Sequence, residues 1–185
     1  MIVSLAGPSG VGKTTLLFNL LKALPDAKPL VSVTTRAPRP TDEAFEYVSD
    51  AEFGNIAKRG EFLWQVHPHG KHYGTRKVVI DEALASNIIY IPVLIIEAVK
   101  VLYEYAAHQG ALTAVKSFYL WIEDEEELRK RFEMRGDMNK EQVESRIVEC
   151  RSWNFEAQRS GVPFIYLDAT KTPDELLRQA LSYLA

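Results

Sequence analysis

The residues most able to do chemistry stand near the start of the chain, in Gly7-Pro8-Ser9-Gly10-Val11-Gly12-Lys13-Thr14. The spacing G-x-x-x-x-G-K-[ST] puts glycines where a backbone must wrap a phosphate closely, with N–H groups turned inward. Lys13 is placed to reach the β- and γ-phosphates of a nucleoside triphosphate, and the Thr14 hydroxyl to bind Mg²⁺. The residues expected to hold the donor are Gly7, Ser9, Gly10, Val11, Gly12, Lys13, Thr14 and Thr15. A second basic cluster, Arg36 and Arg39, lies in Ser32-Val33-Thr34-Thr35-Arg36-Ala37-Pro38-Arg39-Pro40. Its prolines stiffen the turn, and guanidinium groups bind phosphate oxygens bidentately. A third comprises Arg131 and Arg135, four residues apart on one helical face and able to point at one anion. Each cluster also has a plainer reading as a solvated basic turn or as ion pairs with neighbouring glutamates.

Elements must hold these groups in place. The loop follows an apolar run, Ile2 to Ala6, and precedes apolar residues at helical spacing, Leu16 to Leu24, so it joins a strand to a helix. A helix N-terminus adds free N–H groups and partial positive charge to the anion site. Further strands are expected at 30–33, 88–96, 117–122 and 164–167, and helices at 14–24, 97–108, 125–135, 140–159 and 173–184. Strands of unbroken Val, Ile and Leu alternating with helices predict an α/β fold with a parallel sheet covered on both faces. Ligands then bind beyond the carboxyl ends of the strands. Residues 36–77 break the alternation, being rich in Pro, His, Tyr and charge with short strand-like pieces at 46–48 and 62–66. They read as a small inserted subdomain.

The bulk numbers bound the class. At 185 residues the chain suits one domain. A 46% apolar and 25% charged composition suits a water-soluble globular domain with a full core. A net charge of −3 supplies no global field for nucleic acid or an anionic membrane, so phosphate must be bound by local clusters. The one cysteine, Cys150, rules out intrachain disulfides and reads as a packed thiol. No leader-like segment opens the sequence and the longest apolar run is too short to span a bilayer, so a cytoplasmic protein is expected. His67, His69 and His72 invite a metal reading, but no acidic or cysteine partner completes a ligand spacing.

Read together, GPSGVGKTT, SVTTRAPRP, Gly60-Glu61-Phe62-Leu63, Gly70-Lys71-His72-Tyr73-Gly74-Thr75 and Glu127-Leu128-Arg129-Lys130-Arg131-Phe132-Glu133-Met134-Arg135-Gly136 resemble the guanylate kinase family, in order over nearly the whole chain. The resemblance implies a P-loop NTPase-type core at 1–35, 78–124 and 160–185, an acceptor-binding insertion at 36–77 and a helical lid at 125–159. It implies ATP-dependent transfer of the γ-phosphoryl to a nucleoside monophosphate, GMP first, with ATP and Mg²⁺ bound. Ser32, Arg36, Arg39, Tyr73 and Thr75 match residues that bind the acceptor. Arg131, Arg135 and Arg146 match lid arginines that close on the triphosphate. Only small nucleotides are then expected as partners, and the chain as a monomer or homodimer.

Three places depart from the family pattern. Trp64 stands where a glutamate reads guanine N1 and N2 hydrogens, and indole offers no acceptor for those donors. Thr41 to Tyr47 is shorter than the usual segment and has no glycine. Val93-Leu94-Ile95-Ile96-Glu97-Ala98 replaces an acidic strand end, leaving Glu97 as the one carboxylate there, a metal partner or merely a helix N-terminal residue. The chain also resembles the ribose 1,5-bisphosphate phosphokinases at His67, Gly70, Tyr73 and Gly74, so a phosphorylated-sugar acceptor stays open. So does a non-catalytic binding module.

Overall fold

The computed structural model describes residues 1–38, 44–67, 70–136 and 138–184. Its centre is a five-stranded sheet in which every pairing is parallel. The strands run in the order β2 (Lys28–Pro29), β7 (Tyr90–Ile91), β1 (Ile2–Ala6), β8 (Val115–Trp121) and β9 (Ile165–Asp168). Strand β1 aligns with β8 from Ile2 opposite Val115 to Ala6 opposite Tyr119. Because side chains alternate across a strand, these two strands feed both faces of the sheet. Val3, Leu5, Phe118 and Leu120 enter one apolar core beneath α1 (Lys13–Ala23) and α7 (Pro173–Ser182). Ile2, Ala6, Val115 and Tyr119 enter the other, beneath α3 (Lys77–Ala85) and α4 (Ile96–His108). A sheet covered on both sides needs apolar residues at nearly every position, which is why these strands read as unbroken runs.

The inserted region forms a second sheet, ordered β4 (Phe45–Tyr47), β3 (Ser32–Thr34), β6 (Tyr73–Arg76) and β5 (Phe62–Val66). It is mixed, with β3 parallel to β4 and β6 antiparallel to both β3 and β5. Helix α2 (Asp50–Lys58) closes it through a small cluster of Val33, Phe53 and Ile56. Arg76 fastens one edge, pairing with Glu46 across the sheet and with Glu61 at 3.5 Å. Helices α5 (Glu125–Arg135) and α6 (Lys140–Arg159) pack over the carboxyl end of the main sheet through Leu128, Phe132, Val143, Ile147 and Cys150.

The α5 and α6 boundaries fall where the sequence puts them, and the caps give the reason. The Asp124 side chain accepts from Glu126 N–H, Gly136 ends α5 in the left-handed region, and Asn139 and Gln142 cap the start of α6 reciprocally. The expected strand at 88–96 is paired only at Tyr90–Ile91, with a single further bridge from Val93 to Leu5. Pro92 has no N–H to donate, and Ile96 already starts α4. The expected strand at 30–33 is met only in part: Ser32–Thr34 pairs in the second sheet, and the main sheet instead takes the preceding Lys28–Pro29. Helices α2 and α3 are absent from the sequence reading, although Ser49 and Glu52 form a reciprocal capping box at the start of α2. Among the described residues, no helix is long and apolar enough to cross a membrane.

Leu120 is fully buried between β1 and the helices that carry the phosphate loop. Leu120→Ala should lower stability by about 2–5 kcal/mol, seen as a lower urea midpoint with unchanged slope. Stability equal to the parent's would show that Leu120 is not part of the load on that core.

Candidate active site

The loop between β1 and α1 takes its shape from what surrounds it. Gly7 has φ +137°, and a Cβ there would sit 2.3 Å from the Leu120 carbonyl oxygen. Gly10 has φ +84°, and its Cβ would meet the edge of the buried Phe132 ring at 2.7 Å. The loop is thus clasped between β8 and α5, and no residue with a side chain fits at either point. Gly12 caps α1 in the left-handed conformation; no side chain caps the first turn and no acidic residue lies in it. Its N–H groups therefore keep their pull on an anion. Lys13 Nζ donates to the carbonyl oxygens of Gly7 at 2.7 Å and Pro8 at 2.6 Å, so its ammonium lies within the loop. Burial there pushes its pKa down to about 8.

A cleft of about 860 Å³ runs from this loop to the second sheet. Gly7, Ser9, Gly10, Gly12, Lys13 and Thr14 line one end, and Ser32, Tyr73 and Thr75 line the other. Val11 faces the core, and Thr15 is exposed outside the lining. Ser32 and Thr75 lie on neighbouring strands β3 and β6, with their buried hydroxyls 2.8 Å apart and hydrogen-bonded to each other. The Arg36 guanidinium lies over the Phe45 ring at 5.3 Å, and that ring meets Tyr73 edge-on at 6.0 Å. Phe45, at the cleft wall, thereby joins the arginine to the tyrosine. Arg39 falls outside the described residues.

Of the arginines expected to form a lid, Arg146 lines the cleft from α6 and pairs with Glu149 at 2.6 Å. Arg131 pairs with Glu127 at 2.9 Å one turn away, and its charge acts on Asp168. Arg135 is the last residue of α5. The Asp168 carboxyl is held below its usual range, chiefly because it accepts from Thr170 Oγ1 at 2.6 Å and Thr170 N–H at 3.0 Å. These bonds cap the end of β9.

Several lining residues escape the sequence reading: Phe45, Val66, Met138, Gln142, Glu149 and Trp153. Their only sequence signal is proximity to motifs, since the sheet and helix packing brings them together. Glu97 is exposed on the first turn of α4, where its charge faces Glu156, and it is not among the lining residues. His67 and His72 meet edge to face with ring centroids 4.4 Å apart, and His72 also lies against Phe53, while His69 falls outside the described residues. Among the described residues no three His, Cys, Asp or Glu side chains converge as a metal site. Cys150 is buried with its thiol pushed up to about 11, and Sγ lies 4.0 Å from the Ser9 carbonyl oxygen, so it packs α6 on the loop.

Residues 1–159 match a protein-family model described as guanylate kinase. The guanylate kinase of Trichormus variabilis is 31% identical over 150 residues, covering 79% of this chain and 72% of that protein. The Myxococcus xanthus guanylate kinase is 34% identical over 158 residues, covering 82% and 71%. Among solved structures, guanylate kinase from Anaplasma phagocytophilum superposes with a TM-score of 0.71 at 20% identity, over all of this chain and 84% of that one. A sugar kinase from Janibacter superposes less well, with a TM-score of 0.52 at 18% identity, over 99% and 93%. Both likenesses establish the parallel-sheet fold.

The depressed Lys13 pKa sets a pH dependence. An anion at the loop favours protonated Lys13, so binding is lost as pH rises through about 8. Tripolyphosphate affinity, measured calorimetrically, should fall by up to roughly tenfold per pH unit above that value. Lys13→Met should flatten the profile; a flat profile in the parent would contradict the assignment.

Proposed function

The chain belongs to the guanylate kinase family, and from that membership we propose that its cleft aligns ATP at the glycine loop with GMP at the second sheet for γ-phosphoryl transfer. One observation carries the proposal: a single cleft is lined by Lys13 and Thr14 at one end and by Ser32, Tyr73 and Thr75 at the other. Two fixed subsites that share one space turn a bimolecular encounter into an aligned, near-intramolecular step. A phosphorylated-sugar acceptor is not favoured, since the sugar kinase likeness reaches only the fold. A non-catalytic module is not favoured either, because Lys13 and Thr14 are intact.

In the proposed reaction an oxygen of the acceptor phosphate attacks the γ-phosphorus in line, and the bond to the β–γ bridging oxygen breaks, releasing ADP. The acceptor phosphate has a second pKa of about 6, so it is mostly dianionic at neutral pH and needs no general base. Catalysis then rests on alignment and on neutralising charge that gathers on the transferred oxygens. Lys13 and the amides of residues 10–15 would hold the β- and γ-phosphates. Arg36, Arg39 and Tyr73 would hold the acceptor phosphate, with Phe45 fixing the first and third of these. Arg131, Arg135 and Arg146 would supply charge as the lid closes, with Glu127 and Glu149 keeping Arg131 and Arg146 oriented. The rigid body would be 1–35, 78–124 and 160–185, closed upon by the insertion 36–77 and the lid 125–159.

The residues present fit a phosphate-borne Mg²⁺. Thr14 lines the cleft next to Lys13, and Mg²⁺ commonly takes few protein ligands, filling its shell with phosphate oxygens and water. Thr14 Oγ1 would hold it; when bound, the ion supplies positive charge to the β- and γ-oxygens.

Lys13→Ala should reduce ATP-dependent GMP phosphorylation, followed by ³¹P NMR, to background while leaving the fold's circular dichroism unchanged. Arg146→Ala should lower kcat by roughly a hundredfold or more with a smaller change in the GMP KM, as expected for a group acting on developing charge. Full turnover by the Lys13 variant would sink the mechanism.

A further inference from the structure

Phosphoryl transfer requires the acceptor's phosphate to be gripped, but the acceptor half of the cleft says something separate about its base. Phe45, Trp64, Val66, Leu94, Ala98 and Trp153 line the cleft with apolar or indole surface. Trp64 is only 7% exposed and belongs to the same packed cluster as Leu94 and Ala98. The irregularity between Phe62 and Trp64 on β5 shifts the register so that Trp64, not Leu63, stands opposite Thr75. A bulge of this kind re-aims a side chain. Among the described residues of β3 and β6 that line this half, the polar side chains are the hydroxyls of Ser32 and Thr75, already bonded to each other, and Tyr73. The described lining residues that carry a carboxylate or carboxamide, Glu149 and Gln142, both come from α6, and Glu149 is paired with Arg146. Cys150 anchors that stretch of α6 against the glycine loop.

The purine bases differ along one edge. Guanine presents an N1–H and an N2 amine as donors beside the O6 acceptor. Hypoxanthine lacks the amine, and adenine has an N1 acceptor beside an N6 amine donor. Telling them apart demands fixed donors or acceptors facing that edge. A hydroxyl pair is not fixed: it can rotate to donate to O6 or to accept from an N6 amine. Indole and phenyl faces stack on any purine ring. Resting on the reading that this cleft phosphorylates a nucleoside monophosphate, we propose that its acceptor site takes purine nucleoside monophosphates as a class. It grips the phosphate and the ring face and does not read the base edge, with Trp64 as the residue that sets this breadth.

Sites built to hydrogen-bond a substrate group reject analogues lacking it by about 10⁴–10⁵, whereas apolar pockets discriminate by roughly 10–200-fold. The kcat/KM values of the parent enzyme for GMP, IMP and AMP should therefore lie within roughly a hundredfold of one another. Trp64→Glu adds two acceptor oxygens that can pair with guanine N1–H and its amine, and should raise the preference for GMP over IMP and AMP at least tenfold. Trp64→Phe keeps a ring face and should leave the ratios of the parent intact. If the glutamate variant does not fold, the parent ratios and the phenylalanine variant still decide. A parent preference for GMP above about a thousandfold would overturn the proposal while leaving GMP phosphorylation standing. Absence of turnover on all three monophosphates would instead remove the kinase reading itself.

Discussion

The structure depends on a close approach. Gly7 lies against the Leu120 carbonyl and Gly10 against the Phe132 ring, at separations that leave no room for a Cβ. Through these contacts the glycine loop is held by β8 on one side and by α5 on the other. The main sheet supplies rigidity, since β1 and β8 share five aligned pairs and send alternate side chains into two separate cores. A loop so held offers its N–H groups in a fixed array and has little reorganisation left to undergo when charge arrives. Lys13, folded back on the carbonyls of Gly7 and Pro8, completes the donor end.

The other end of the cleft is built differently. It sits on a small mixed sheet whose own core is only Val33, Phe53 and Ile56 with a few half-buried neighbours. Side-chain links do much of the fastening there: Arg76 to Glu46 and Glu61, Ser32 to Thr75, and Arg36 to Phe45 to Tyr73. The chain carries a net charge of −3, yet the cleft has basic groups of its own: Lys13 and Arg146 line it, and Arg36 lies over Phe45 in its wall. Local field, not total charge, governs recognition at such a cleft.

Much of this was legible in the residues. Unbroken Val, Ile and Leu runs between amphipathic segments signal a doubly covered parallel sheet, and G-x-x-x-x-G-K-T fixes where its ligand binds. Helices α5 and α6 begin and end at the expected residues because their caps are local, set by side chains within a turn of each end. Strands fared less well. Pro92 cut short the pairing of the 88–96 run, and in place of one strand at 30–33 the chain makes two, Lys28–Pro29 in the main sheet and Ser32–Thr34 in the second. Partners that decide a strand's extent lie far away in sequence, so its apolar pattern marks burial without marking pairing.

By itself the sequence determined the class of chemistry: a glycine-rich loop, a lysine and a hydroxyl at set spacing, within a few bonds of one another. Those relations survive any change in distant packing, because they are made by adjacent residues. Tertiary structure alone decided that Phe45 bridges Arg36 and Tyr73, that Arg146 lines the cleft while Glu97 does not, and that Ser32 and Thr75 bond to one another. It also decided that Trp64 is packed against α4 in the cleft wall and not merely placed near it in the chain. Such facts rest on contacts between residues far apart in sequence, and only the packed sheets and helices fix those distances.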